Sequence, residues 1–81
     1  MTPSYYRDCA IRAQIRGRKY KDIADARIAD GELQMAYYYQ TRAAIAYDCA
    51  RTNLECETLA EDIQQSLKEE KRAAARKAAQ S

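Results

Sequence analysis

The residues able to do chemistry are few and awkwardly placed. Three cysteines, Cys9, Cys49 and Cys56, stand without CxxC spacing, and the chain has no His. Without His, the commonest general base and a favoured metal ligand are missing, which removes most hydrolase triads and the usual catalytic zinc sites. Cys49 and Cys56 lie one heptad apart, about 10 Å along a helix, too far for a direct disulfide. A three-thiolate site would still need a fourth ligand. The cysteines are therefore expected to be reduced, buried and small-apolar in role, with no metal and no cofactor. The carboxylates Glu55, Glu57, Glu61 and Asp62 have no evident apolar pocket to raise a pKa and are expected on an exposed acidic face. General acid–base work is unsupported, so the expectation is a protein that is not an enzyme.

Two clusters point to binding instead. Tyr37-Tyr38-Tyr39 spreads over about 200° of a helix, so the three rings cannot all enter one core; Tyr suits recognition because it offers a rigid apolar face with a polar tip. Arg16-Gly17-Arg18-Lys19-Tyr20-Lys21 sets four cations and a ring in six positions. Arg16, Arg18, Lys19 and Lys21 are candidate nucleic-acid contacts, but on a helix they ring the axis instead of forming a stripe. Lys68, Lys71, Arg72, Arg76 and Lys77 form a second basic patch that complements a helix C-terminus.

The elements that position these residues follow from composition. Of 81 residues, 47% are hydrophobic, yet there is no Phe or Trp, with only one Pro and two Gly. The chain also lacks Val, and Ala is its commonest residue. Strand formers and turn residues are too scarce for a sheet, so the chain is expected to be all-α. Thr2-Pro3 reads as a cap followed by Pro at the first helical position. From there Tyr5, Tyr6, Cys9, Ala13, Gly17, Tyr20, Ile23, Ala24 and Ile28 share one broad arc of a helix. Asp30-Gly31 is the one strong internal turn signal, since Gly suits the left-handed position that ends a helix.

Downstream, Met35, Tyr38, Arg42, Ile45, Cys49, Thr52, Cys56, Leu59, Ile63 and Ser66 follow a 3-4 alternation that predicts one helix from about Glu32 into the high 70s. Thr52 with Glu55 also matches a capping box, so a break near Thr52 giving three helices is the alternative. Folding at Asp30-Gly31 pairs residue i with about 61 minus i. Gly17 then faces Ala43 and Ala44, three small residues where helices would touch most closely. A Gly inside a helix costs about 1 kcal/mol against Ala, and close approach supplies the reason for it.

The expected architecture is thus an antiparallel helical hairpin with a long second helix, one domain over 1–67 and a charged Ala-rich tail, 68–81, expected to fray. Leu59, Ile63 and Leu67 extend beyond the first helix with nothing in the chain to cover them. Two Ala-rich helices return little burial against the ordering cost of about 1.5 kcal/mol per residue, so self-association into a homodimeric bundle or docking on a larger protein is expected. No apolar run approaches the ~20 residues that span a bilayer, and the N-terminus lacks a signal-peptide pattern; a cytoplasmic location is the expectation.

The charge pattern is basic over 1–31, acidic over 32–67 and basic over 68–81, which suits antiparallel segments or separate partner surfaces. The hairpin with a Gly turn and a Tyr- and Gln-containing second helix resembles the small co-chaperones of type III secretion needle subunits, and that resemblance implies a helical chaperone for a secreted subunit. A chain this small and motif-free also suits a phage or plasmid accessory protein that blocks a host factor. The leading expectation is a non-enzymatic inhibitor or adaptor that binds a protein through Tyr37, Tyr38, Tyr39, Leu59, Ile63 and Leu67. The alternatives are a nucleic-acid-associated protein and a secretion-type co-chaperone.

Overall fold

A computed structural model describes residues 2–80. Two helices, α1 (Pro3–Ala29) and α2 (Leu33–Gln80), form an antiparallel hairpin. The molecule measures 76 × 14 × 13 Å. Thr2 caps α1 with extended backbone, and its hydroxyl lies 3.2 Å from the Ser4 hydroxyl. Pro3 occupies the first turn, where a missing N–H leaves nothing unsatisfied. The turn falls at Asp30-Gly31 as the sequence predicts. Gly31 takes φ +77°, its N–H donates to the Ile28 carbonyl at 3.0 Å, and the Glu32 N–H donates to the Arg27 carbonyl at 2.9 Å. Those two bonds satisfy carbonyls that the end of α1 would otherwise leave open. Arg27 and Glu32 add an ion pair across the turn at 2.9 Å.

α2 runs through Thr52 without a break, and the helix continues through the basic tail to Gln80. Its 48 residues against 27 in α1 leave an overhang of about 30 Å at 1.5 Å per residue. Every described residue after Ala60 is exposed.

The seam between the helices is made of small residues. Ala10, Ala13, Gly17 and Ala24 of α1 meet Ala36, Ala43, Ala46 and Ala50 of α2. Half-buried Tyr6, Tyr20 and Arg27 continue the α1 row, and Tyr39, Asn53, Glu57 and Ala60 the α2 row. Both rows keep a strict 3-4 spacing, the pattern that holds two helices face to face along their length.

This seam corrects the sequence reading of α2. Met35, Tyr38 and Ile45, which the 3-4 periodicity places on the side facing α1, are exposed, and the buried row lies one residue further on. The physical reason is distance: where Ala and Gly face each other the backbones approach closely, and the larger side chains of the same rows, Tyr6, Tyr20, Tyr39 and Glu57 among them, are only half-buried. On α1 the expected arc keeps its phase through Ala13, Gly17, Tyr20 and Ala24, while Ile23 and Ile28 stand on either side of the row and Ala10 is buried.

Candidate functional site

Because the residues the seam buries fully are all small, most large aliphatic groups are left on the surface. The flank one residue before the seam carries Tyr5, Cys9, Arg12, Arg16, Lys19 and Ile23 on α1. On α2 it carries Met35, Tyr38, Arg42, Ile45, Cys49, Thr52, Cys56, Leu59 and Ile63. Antiparallel packing sets these two rows on the same side of the hairpin, and they border a groove. Two clefts lie in it. Arg16 and Tyr20 face Arg42, Ile45 and Cys49 around about 230 Å³. Near the free end of α1, Tyr6 faces Cys56, Leu59, Ile63 and Gln64 around about 310 Å³.

The first cleft has a fixed cation. The Arg42 guanidinium lies 5.8 Å from the centroid of the Tyr20 ring. Its pKa is raised, first by hydrogen bonding with Tyr20 and then by Tyr38. Tyr20 in turn stacks on Tyr39 with centroids 6.2 Å apart, and Tyr39 meets Tyr38 edge-on at 5.2 Å. Among the described residues, Arg12, Arg16 and Lys19 form no ion pair.

The tyrosine run divides. Tyr39 packs toward α1, whereas Tyr37, 72% exposed, and Tyr38 stand on opposite flanks. Leu59 and Ile63 border the second cleft, while Leu67 is exposed further along the overhang. The basic cluster divides as well. Arg16 and Lys19 lie on the groove side. Arg18 and Lys21 lie on the other, where Lys21 borders a depression with Asp25, Gln40, Ala44 and Tyr47. The four cations of the cluster therefore do not lie in a single row. Gly17 and Ala43 are in the seam, but Ala44 is exposed beside it. The atoms closest to where a Gly17 Cβ would stand belong to Tyr47, its Cε1 at 2.8 Å. Sequence spacing alone missed that ring; the signal was a glycine whose phase matched the seam.

The cysteines and carboxylates also depart from expectation. Cys49 is exposed, and Cys9 and Cys56 are half-buried, because each stands one residue before the seam row; all three are free. The Asn53 amide donates to the Cys49 carbonyl at 2.9 Å and approaches its Sγ at 3.5 Å. The Tyr5 hydroxyl is held above its ordinary pKa, chiefly by hydrogen bonding with Cys9. Among the described residues no cluster of Cys, Asp or Glu could hold a metal ion. Glu57 is not on an exposed face. It sits in the seam row with its side chain 13% exposed, and Arg7 reaches across the hairpin to it at 2.7 Å, with Glu61 at 3.9 Å. Hydrogen bonding to Glu57 raises the Arg7 pKa further.

Among the described residues no helix is long and apolar enough to cross a membrane. Comparison with protein-family models, with curated proteins and with solved structures gives no match to this chain.

Proposed function

We propose that this protein is a non-enzymatic protein-binding module, an adaptor or inhibitor that docks on a larger partner. The observation that carries the reading is the division of labour between residue sizes. Among the described residues, everything the hairpin buries fully is Ala or Gly, while Ile45, Leu59, Ile63 and Leu67 are each more than half exposed. Exposed apolar rows of this length mark interaction surfaces more often than they occur by chance on a free-standing chain. They sit on a rigid two-helix scaffold, and the exposed Tyr37 and Tyr38 rings add anchors of the kind that dominate interfaces.

The test is purification of the full chain with its partner from the native source. Wild-type protein is expected to carry a stoichiometric protein partner through high salt, and the Leu59→Lys/Ile63→Lys variant to lose it while keeping its helicity. Retention of the partner by that variant, or a complex with nucleic acid that disperses as salt rises, would overturn the reading.

A further inference from the structure

We infer that the groove bordered by Arg16 and Arg42 receives an acidic amphipathic helix of a partner protein, an inference that rests on the protein-binding reading above. The shape of the groove sets the first requirement. Its two clefts are centred near Ile45 and Leu59 of α2, 14 residues apart in the sequence and thus about 21 Å along the axis. That is the spacing of two heptads. A third helix lying along the groove would seat one bulky apolar side chain in each cleft, completing a three-helix arrangement on a hairpin that has no third helix of its own.

Charge sets the second requirement. The two rows bordering the groove carry Arg12, Arg16, Lys19 and Arg42 and not a single Asp or Glu. Of the acidic residues, Glu57 is taken up by Arg7, Asp25 lies in the depression on the opposite flank, and Asp8, Asp22, Asp48, Glu55 and Asp62 stand outside the two rows, within one helical turn of them. Arg42 is held over Tyr20, so little of its freedom is lost when a carboxylate arrives. Its planar fork suits a carboxylate, and Arg16 borders the same cleft.

The other occupants fit less well. A second copy packed in parallel register would bring the same four cations to the same face, and like charges in register oppose pairing; an antiparallel copy would bring no acidic residue of the groove rows to Arg16 and Arg42. The chain's own C-terminal segment carries Lys68, Lys71, Arg72, Arg76 and Lys77 and is repelled too. A nucleic acid would leave Ile45, Leu59 and Ile63 against a phosphate backbone that gains nothing from them.

The experiment selects binders for the full chain from a displayed library of four-heptad helical peptides, randomised among apolar, acidic, basic and neutral residues. Selected peptides are expected to share bulky apolar residues two heptads apart with Asp or Glu beside them. Arg16→Gln/Arg42→Gln is expected to weaken them about tenfold or more, and Lys21→Gln on the opposite flank to leave them unchanged. Circular dichroism of each variant separates lost binding from lost fold. Neutral or basic winners, no winners at all, or a loss under twofold in Arg16→Gln/Arg42→Gln would overturn the inference. So would a dimer dissolved by Ile45→Ser, or binding of single-stranded DNA or phosphatidylserine vesicles that depends on Arg16 and Arg42. Winners that need Ile45 and Ile63 but no acid would remove the acidic helix and leave the protein-binding reading standing. Winners indifferent to Ile45→Ser and Ile63→Ser would remove both.

Discussion

Two neighbouring rows of α2 differ by one residue in register and by everything in role. Ala36, Ala43, Ala46 and Ala50 face α1 and are almost wholly buried; Met35, Ile45, Leu59 and Ile63 lie beside them and are exposed. The row with the greater apolar mass is not the one that holds the hairpin. Close backbone approach over small side chains replaces bulk burial in the seam, and the bulk is displaced to where another molecule can use it.

Overfilling the seam is the strongest way to break this contrast. Ala13 is 0% exposed, so Ala13→Leu must push the helices apart or leave its rotamer. A loss of about 3 kcal/mol is expected, at the upper end of what overpacking usually costs, measured as a lowered midpoint in urea unfolding. Ala44→Leu, beside the seam and exposed, should cost little in the same measurement.

A second effect is smaller and depends on a pair. Replacing a mid-helix Gly by Ala ordinarily stabilises by about 1 kcal/mol. At Gly17 the new Cβ would stand 2.8 Å from the Tyr47 ring, so Gly17→Ala alone is expected to give no gain. In a Tyr47→Ala background the obstacle is gone, and Gly17→Ala should then stabilise by about 1 kcal/mol. The coupling between the two sites, read from a double-mutant cycle, tests whether the Tyr47 ring packs on Gly17.

Smaller again is the ion pair that ties the start of α1 to the end of the seam. Arg7 is 59% exposed and Glu57 13%, which limits the pair to about 1 kcal/mol or less after solvent screening. Arg7→Ala should lower the unfolding midpoint slightly, and salt should narrow the difference from wild type. The smallest effect on stability is expected on the overhang: Ile63→Lys/Leu67→Lys should change it by less than about 0.5 kcal/mol, as for other surface positions.

Much of the fold was legible in the sequence, and for physical reasons. Absent Val and scarce Gly and Pro excluded sheets, Thr2-Pro3 marked the start of α1, and Asp30-Gly31 marked a turn that the left-handed Gly31 makes. The long second helix was legible from its unbroken periodicity. The face of α2 was not, because periodicity weighs side chains by their hydrophobicity, whereas a close seam selects them by their size. Gly17 was the hint: a glycine in phase with alanines marks a place with no room for a side chain, here because the Tyr47 ring covers it, and following it would have moved the seam from Ile45 to Ala46. The site was legible in part. Leu59 and Ile63 were read as uncovered, but the cleft that Tyr6 forms with them, and the pairing of Arg16 with Arg42 around a second, need three dimensions to appear. The split of Tyr37 from Tyr38 follows from the same displaced seam.

The most direct test of the central claim removes the large row and leaves the small one intact. Thermal unfolding of the Ile45→Gln/Leu59→Gln/Ile63→Gln variant should match wild type within a few degrees, since about 1 kcal/mol shifts the midpoint of a domain this size by 4–8 °C. A midpoint lowered by more than about 10 °C would mean that these side chains hold the hairpin together after all, and would contradict the account.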